Sequence, residues 1–452
     1  MSEEIKTAVN LAALGAMKSW VEYDPATTDF PIQNLPYGVF ERSDLAGSGS
    51  GSAIHIGVAI GAMILDLTVL AELGFFASTQ HLQGGALFQQ TSLNAFMAAG
   101  RQAWTEARSI IQGLLLLDGE DKRLSSNEEV KAKALVAQSS VKMLLPAHIG
   151  DYTDFYASKN HAFNVGVMFR GRENALQPNW TWLPVGYHGR ASSVVVSGTD
   201  LRRPCGQLVG PTGQPPATYG ESKTLDFELE LGFFVGPGNK LGEPINIKNA
   251  SEHLFGVVLL NDWSARDIQR WEYVPLGPFG AKNFGTTISP WVVTFDALAP
   301  FAIPNQVQDP APLEYLAEDK PLAYNINLQV SITPEGETEE SVVCTSNAKY
   351  LYWTANQMLA HHTVTGCNLQ PGDLLGSGTI SGEQEHEFGS MLELSWKGEK
   401  TVQLKNGHTR KMLQDGDRVT ITGFAQGDGF RVGFGGCTGK ILPSILKAPI
   451  KG

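Results

Sequence analysis

The chain has little cysteine, a shortage of positive charge and no long apolar run, and each shortage removes a class of function. Four cysteines, Cys205, Cys344, Cys367 and Cys437, stand far apart among 452 residues. With no CxxC pair they argue against a zinc site or a disulfide framework, and they fit a reducing, cytoplasmic setting. Lys and Arg number 34 against 46 Asp and Glu, a net charge of −12. Such a field favours solubility and repels polyanions, so neither nucleic acid nor an acidic membrane surface is an expected partner. The nearest thing to an apolar run, Gly57–Leu70, is broken by Asp66, and Glu3 and Glu4 occupy the place where a secretory leader carries positive charge. Neither a membrane span nor a leader is expected. No GxGxxG or P-loop follows a strand, and the GSGSGS and GFGG runs lack the helix that would use them.

What the sequence does have is glycine and proline, 49 and 24 residues, with 42% apolar and 18% charged content. That mixture is globular, and its many turns point to short strands. A single core stops growing efficiently at about 250–300 residues, so two domains are expected. Ile56–Leu65 and Leu67–Leu70 read as short strands after a Gly/Ser run, Gly47–Ser52, that reads as a surface loop. Leu93, Phe96, Met97, Trp104, Ile111, Leu114 and Leu115 recur at spacings of three, four and seven, the buried face of one long helix. Ser125 with Glu128 has the spacing of a capping box for another helix running to Leu135. After Leu145-Pro146 the texture turns to strands and glycine-rich turns, which places the domain boundary near residue 146. Tyr324, Ile326, Leu328, Val330 and Ile332 alternate with polar residues, a strand with one wet face that Thr333-Pro-Glu-Gly turns back. Asn406-Gly407 between Val402–Lys405 and Thr409–Leu413 is a hairpin signal.

The segment Leu225-Asp-Phe-Glu-Leu-Glu-Leu bears most on chemistry. On a strand, Asp226, Glu228 and Glu230 project to one side about 6.5–7 Å apart while the apolar residues face the core. Three like charges repel, so either that face is solvated or Glu228 and Glu230 share a cation. Asp262 follows the apolar run Phe255–Leu260 and precedes a helical-looking Ser-Ala-Arg-Asp-Ile-Gln segment. It reads equally as a helix N-cap or as a ligand. Asp154 and His161 are seven apart and would share a face if their segment were helical. Carboxylate oxygens without thiolates or an HExxH pair select a hard cation such as calcium or magnesium. The adjacent pair His361-His362 is a poor ligand candidate. Arg170, Arg266 and Lys282, interleaved with Tyr156, Tyr187 and Tyr273, gather positive charge suited to a small anionic substrate.

Longer runs carry a resemblance. Phe30-Pro-Ile-Gln-Asn-Leu-Pro-Tyr-Gly-Val-Phe, Gly150-Asp-Tyr-Thr-Asp-Phe-Tyr and Leu183-Pro-Val-Gly-Tyr-His-Gly-Arg are three of them. Asn261-Asp-Trp-Ser-Ala-Arg-Asp-Ile-Gln, Phe284-Gly-Thr-Thr-Ile-Ser-Pro and Ser377-Gly-Thr-Ile-Ser-Gly are the others. Together they resemble the fumarylacetoacetate hydrolase family from about Asp29 to Leu442. The first 28 residues, the Gly/Ser run and the Glu383–Glu387 loop depart from its pattern.

The resemblance implies a mainly β (α+β) protein, with an N-terminal SH3-like barrel domain over residues 1–146 and a C-terminal catalytic β-sandwich roll over 147–452. It implies a homodimer that hydrolyses the carbon–carbon bond of a small diketo acid, fumarylacetoacetate, at the end of tyrosine and phenylalanine catabolism. Calcium ligands would be Asp154, Glu228, Glu230 and Asp262, with Lys282 and Thr286 around a nearby magnesium. His161, oriented by Glu393, would be the general base. Arg266, Gln269 and Lys282 would line the oxyanion site, while Tyr156, Arg170, Tyr187, Gln269, Tyr273 and Thr379 would hold substrate. Two rival expectations stand beside this one: a related acylpyruvate hydrolase or oxaloacetate decarboxylase, and a non-catalytic calcium-binding β module.

Overall fold

The computed structural model describes residues 11–44, 53–210 and 213–446; Glu3, Glu4 and the Gly47–Ser52 run lie outside them. Among the described residues no helix is long and apolar enough to cross a membrane. The fold is mainly β. Its first part is a five-stranded antiparallel sheet in the order Leu135–Ala137, Met63–Asp66, Ile54–Ile60, Tyr37–Arg42, Val141–Met143. Gly61, at φ 56°, turns Ile54–Ile60 back into Met63–Asp66, a left-handed backbone that glycine adopts without a Cβ clash.

Several elements differ from the sequence reading for identifiable reasons. Leu67–Leu70 belongs to a helix, Leu67–Glu72, because the Asp66 carboxylate accepts from Val69 N and caps it. The expected long helix is two, Asn94–Ala98 and Gly100–Leu115, since Gly100 takes φ 79° between them. The apolar stripe is nonetheless buried, because both helices press it onto the same core. Helix Glu128–Ala134 is capped by Asn127, which accepts from Val130 N, rather than by Ser125.

The second part pairs a large sheet with a smaller one. The large sheet runs Gly186–His188, Tyr152–Phe155, Leu374–Gly376, Leu229–Val235, Leu254–Asp262, Thr286–Ile288, Val194–Val196, with Val293–Thr294 beside Leu254–Asp262. The smaller runs Ser341–Asn347, Asn327–Thr333, Arg418–Gln426, Arg431–Leu442, Leu201–Arg202. The sheets pack closely at Gly423, where a Cβ would meet Leu259 Cδ2 at 3.0 Å and Leu328 Cδ2 at 2.9 Å. The alternating strand is broken after Tyr324, yet Ile326, Leu328, Val330 and Ile332 are buried as their period requires. The hairpin at Asn406-Gly407 forms, with Val402 opposite Arg410 and both turn residues at positive φ. Phe255 joins the two parts, its ring 5.6 Å from that of Phe96 and 5.2 Å from that of Trp104.

Asp66 shows how local capping and packing combine. Fully buried, it caps its helix and also binds His55 Nδ1 at 2.6 Å and Arg42 Nη1 at 3.2 Å. Asp66→Ala should lower the unfolding free energy by about 3–5 kcal/mol, the usual effect of removing one member of a buried ion pair. Urea titration at unchanged m-value checks this, and a loss under about 1 kcal/mol would show the network to be dispensable.

Candidate metal and catalytic site

Six neighbouring strands of the large sheet bring their functional residues to one place. Pairing sets Tyr187 beside Asp154, Asp154 beside Gly376, Gly376 beside Gly232, Glu230 beside Leu260, and Asp262 beside Thr286. The Leu225–Leu231 segment is two short strands, Leu225–Asp226 and the start of Leu229–Val235, with Glu228 bridging Ser390 between them. Neither of its faces is wet: Asp226, Glu228 and Glu230 are buried, as are the leucines and Phe227. The sequence could not show this, because alternation marks two faces without saying what covers the polar one.

Oxygens of Asp154, Glu230 and Asp262 lie within 4.8 Å of one another, all three residues being buried. Gly376 makes the space between them. A Cβ on it would stand 2.7 Å from Asp154 Oδ1, 3.1 Å from Glu230 Oε2 and 3.2 Å from the Tyr152 hydroxyl. Asp154 Oδ1, Glu230 Oε1 and Tyr152 OH are buried with no hydrogen-bond partner. Burial pushes the Asp154 and Glu230 carboxyls well above the usual carboxylate range, and the charges of Asp262 and Asp154 respectively push them further. Burial also raises Asp262, against the opposing pull of Lys282. Buried oxygens that repel one another, one each on Asp154 and Glu230 with no donor, are the donor set of a hard divalent cation, and these residues fit one.

Glu228 has a different environment. Its Oε1 accepts from Arg266 Nη2 at 2.7 Å, and its Oε2 from the Lys282 ammonium, which also donates to Asp262 Oδ2. Burial would raise the Glu228 carboxyl, but Arg266 and then Lys282 outweigh it and hold it ionised. Burial likewise works against the charged Lys282, yet Asp262 and Glu228 raise its pKa and keep the ammonium. Thr286 Oγ1 reaches Asp262 Oδ1 at 3.3 Å, and the Tyr187 hydroxyl reaches Oδ2 at 3.1 Å. Asp262 ends a strand and caps nothing, the next helix, Arg266–Glu272, beginning after Ala265.

Asp154 and His161 do not share a helix, since Asp154 lies on strand Tyr152–Phe155 and His161 in the first turn of helix Lys159–Arg170. Ser158 caps that helix and separates the two elements. His161 Nδ1 is 2.6 Å from Glu393 Oε2. Burial would raise the Glu393 carboxyl, but His161 and the hydrogen bonds around it hold it below its ordinary value. A carboxylate only accepts, so Nδ1 carries the proton and Nε2 is left as the basic nitrogen. Nε2 points toward Glu228, 3.9 Å from its Oε1.

The cavity in front of these groups has a volume of about 520 Å³ and is walled by Asp154, His161, Glu228, Glu230, Arg266 and Lys282. Tyr156, Arg170, Tyr187, Gln269, Tyr273 and Thr379 line it as well, whereas Glu393 and Thr286 stand behind the wall. Tyr156 stacks edge-on against His161, ring centres 5.3 Å apart. Arg170 is anchored to the carbonyls of Asn174 and Ala175 near the mouth, where Tyr273 is half-exposed. The sequence reading missed the donors that fix Glu393: Asn164 at 2.9 Å, Ser381 at 2.8 Å and Ser390 at 2.9 Å. Two had a signal, because Asn164 lies one helical turn from His161 and Ser390-x-x-Glu393 has capping-box spacing.

Comparison with known proteins agrees over most of the chain. Residues 151–441 match the family described as fumarylacetoacetate (FAA) hydrolase C-terminal, and residues 33–146 that described as fumarylacetoacetase N-terminal. Human fumarylacetoacetase is 58% identical over 420 residues, 93% of this chain and 97% of its own. The Caenorhabditis elegans enzyme is 57% identical over 95% of this chain and 100% of its own, and that of Arabidopsis thaliana 52% over the same shares.

Glu393→Gln should lower kcat by about 10³–10⁴, the scale seen when the carboxylate that orients a catalytic imidazole becomes an amide. The variant should also lose stability in a pH-dependent way. A carboxyl held below its ordinary value stabilises the fold above the unfolded-state value, about 4.3, and that contribution disappears as pH falls through the folded-state value. The wild-type advantage in urea midpoint should therefore be largest at neutral pH and shrink below about pH 4. A gap independent of pH would contradict the ionised assignment.

Proposed function

The chain belongs to the fumarylacetoacetate hydrolase family, and from that premise we infer that it hydrolyses a carbon–carbon bond of fumarylacetoacetate, giving fumarate and acetoacetate, the last step of tyrosine and phenylalanine breakdown. The observation that supports the mechanism most is that His161, Asp154 and Glu230 line one cavity, with Glu393 bonded to His161 and Asp262 grouped with the two acids just behind its wall. On family membership we also propose a cytoplasmic homodimer. Residues 1–146 form its SH3-like barrel domain and 147–452 its catalytic β-sandwich roll.

Calcium would be held by Asp154, Glu230 and Asp262, with Glu228 as the fourth ligand that the resemblance names. Glu228 is the least favoured of the four, because both its oxygens already accept from cations. The magnesium implied beside Lys282 and Thr286 would draw on the Thr286 hydroxyl, since a protonated ammonium donates and cannot ligate. A bound dication supplies Lewis-acid polarisation of the substrate's dicarbonyl group.

The protein's own groups carry the remaining steps. His161 Nε2 takes a proton from water, and the hydroxide attacks the carbonyl of the fumaroyl group. Glu393 stabilises the imidazolium that results. Arg266, Gln269 and Lys282 donate to the oxyanion, an effect worth about 2.7–4 kcal/mol per donor in other enzymes. Collapse of the tetrahedral adduct breaks the carbon–carbon bond, fumarate departs, and the enolate takes the proton from His161 to become acetoacetate. Arg170 and the tyrosines Tyr156, Tyr187 and Tyr273, with Thr379, would hold the substrate's carboxylates and carbonyls.

His161→Ala should reduce turnover by about 10²–10⁴ while calcium affinity, read by calorimetry, stays at the wild-type value. Near-normal turnover in that variant would remove His161 from the mechanism. Following the ultraviolet absorbance of fumarylacetoacetate should show consumption that chelator abolishes, faster than that of acetylpyruvate or oxaloacetate. Equal or greater rates on either comparison compound would reassign the substrate.

A further inference from the structure

Asp226 is the acid of the Leu225–Leu231 segment to which the mechanism gives no task. It is fully buried. Its Oδ2 accepts from Arg266 Nε at 2.8 Å and from Leu392 N at 3.0 Å, and its Oδ1 from Met391 N at 2.6 Å. Met391 and Leu392 open the short helix Met391–Leu394, which carries Glu393. With Nε engaged by Asp226, Arg266 turns Nη1 to Gln269 at 3.1 Å and Nη2 to Glu228 at 2.7 Å. Both of those residues line the cavity. One carboxylate therefore ties the guanidinium at the oxyanion site to the backbone that places the partner of His161.

We propose that Asp226 is a positioning residue that aims Arg266 at the oxyanion and fixes the helix holding Glu393. It does not line the cavity, so it acts only through those two groups. Its chemistry suits the task. Three N–H donors converge on two oxygens, and only an ionised carboxylate accepts from all of them while balancing the buried guanidinium. An asparagine there would turn an NH₂ group toward at least one of the donors. Asp226 is also separate from the acidic cluster of Asp154, Glu230 and Asp262, which distinguishes its effects from loss of metal.

The inference rests on the reading that Arg266 stabilises the oxyanion, and a double-mutant cycle separates the two. Asp226→Asn should lower kcat by about 10²-fold, the effect of misaiming a catalytic group by about an ångström, with KM within about threefold. Calcium affinity by calorimetry should equal that of the wild type. In an Arg266→Lys background, already slow, Asp226→Asn should lower kcat further by clearly less than its full effect in the wild type, the remainder being the part that passes through the helix of Glu393. A second full loss in that background, or wild-type kcat in the single variant, would overturn the proposal. Arg266→Lys with unchanged kcat would sink the oxyanion reading itself, and the proposal with it. Should Asp226→Asn fail to fold, Asp226→Glu, which keeps the charge and shifts it by one methylene, is put through the same cycle with the same criteria.

Discussion

The structure turns on an excess of buried negative charge. Asp154, Asp226, Glu228, Glu230 and Asp262 are each no more than 5% exposed, and the cations among them are Arg266 and Lys282. A buried ion without a partner is costly enough that proteins protonate it or neutralise it. Arg266 and Lys282 satisfy Asp226 and Glu228, and Lys282 reaches one oxygen of Asp262. Asp154 and Glu230 keep oxygens with no donor at all. The fold gains nothing from this arrangement by itself, so the acidic cluster is best understood as a site whose stability is completed by a bound dication.

That constraint accounts for details of the fold that packing alone would not require. Strands Tyr152–Phe155 and Leu229–Val235 flank Leu374–Gly376, and the bare Cα of Gly376 lets their carboxylates approach over it. Any larger residue would fill the cradle. Gly378 N donates to Glu230 Oε2 at 3.1 Å, which fixes that side chain from the neighbouring loop. The same loop reaches Glu393 through Ser381, so the metal cradle and the His161–Glu393 pair share one stretch of backbone, residues 376–381. Both are therefore anchored within a few residues of buried chain.

Much of this was legible in the sequence, and the failures have physical causes. Periodicity found the apolar stripe from Leu93 to Leu115 but not the break at Gly100, because a glycine at positive φ leaves the spacing almost unchanged. It found the acidic face of Leu225–Leu231 but not its burial, which depends on strands more than thirty residues away. Composition and spacing singled out Asp154, His161 and Asp262, the first two as neighbours only on the condition that their segment were helical. Their meeting is set by strand order, which no local pattern records. The long motif runs identified the family, and the resemblance implied the residue set. They did not reveal that Glu228 is committed to two cations, or that Asn164, Ser381 and Ser390 surround Glu393.

The central claim, that a dication completes a cluster the protein alone leaves electrostatically unsatisfied, is tested most directly by thermal melting. Chelator-treated protein would be melted across a calcium titration, wild type beside Glu230→Gln. A ligand bound only to the native state adds about 2.7 kcal/mol at a hundred times its dissociation constant, so the wild-type midpoint should climb steadily with calcium while the variant's stays nearly flat. A wild-type midpoint indifferent to calcium, and to magnesium or manganese in its place, would contradict the account.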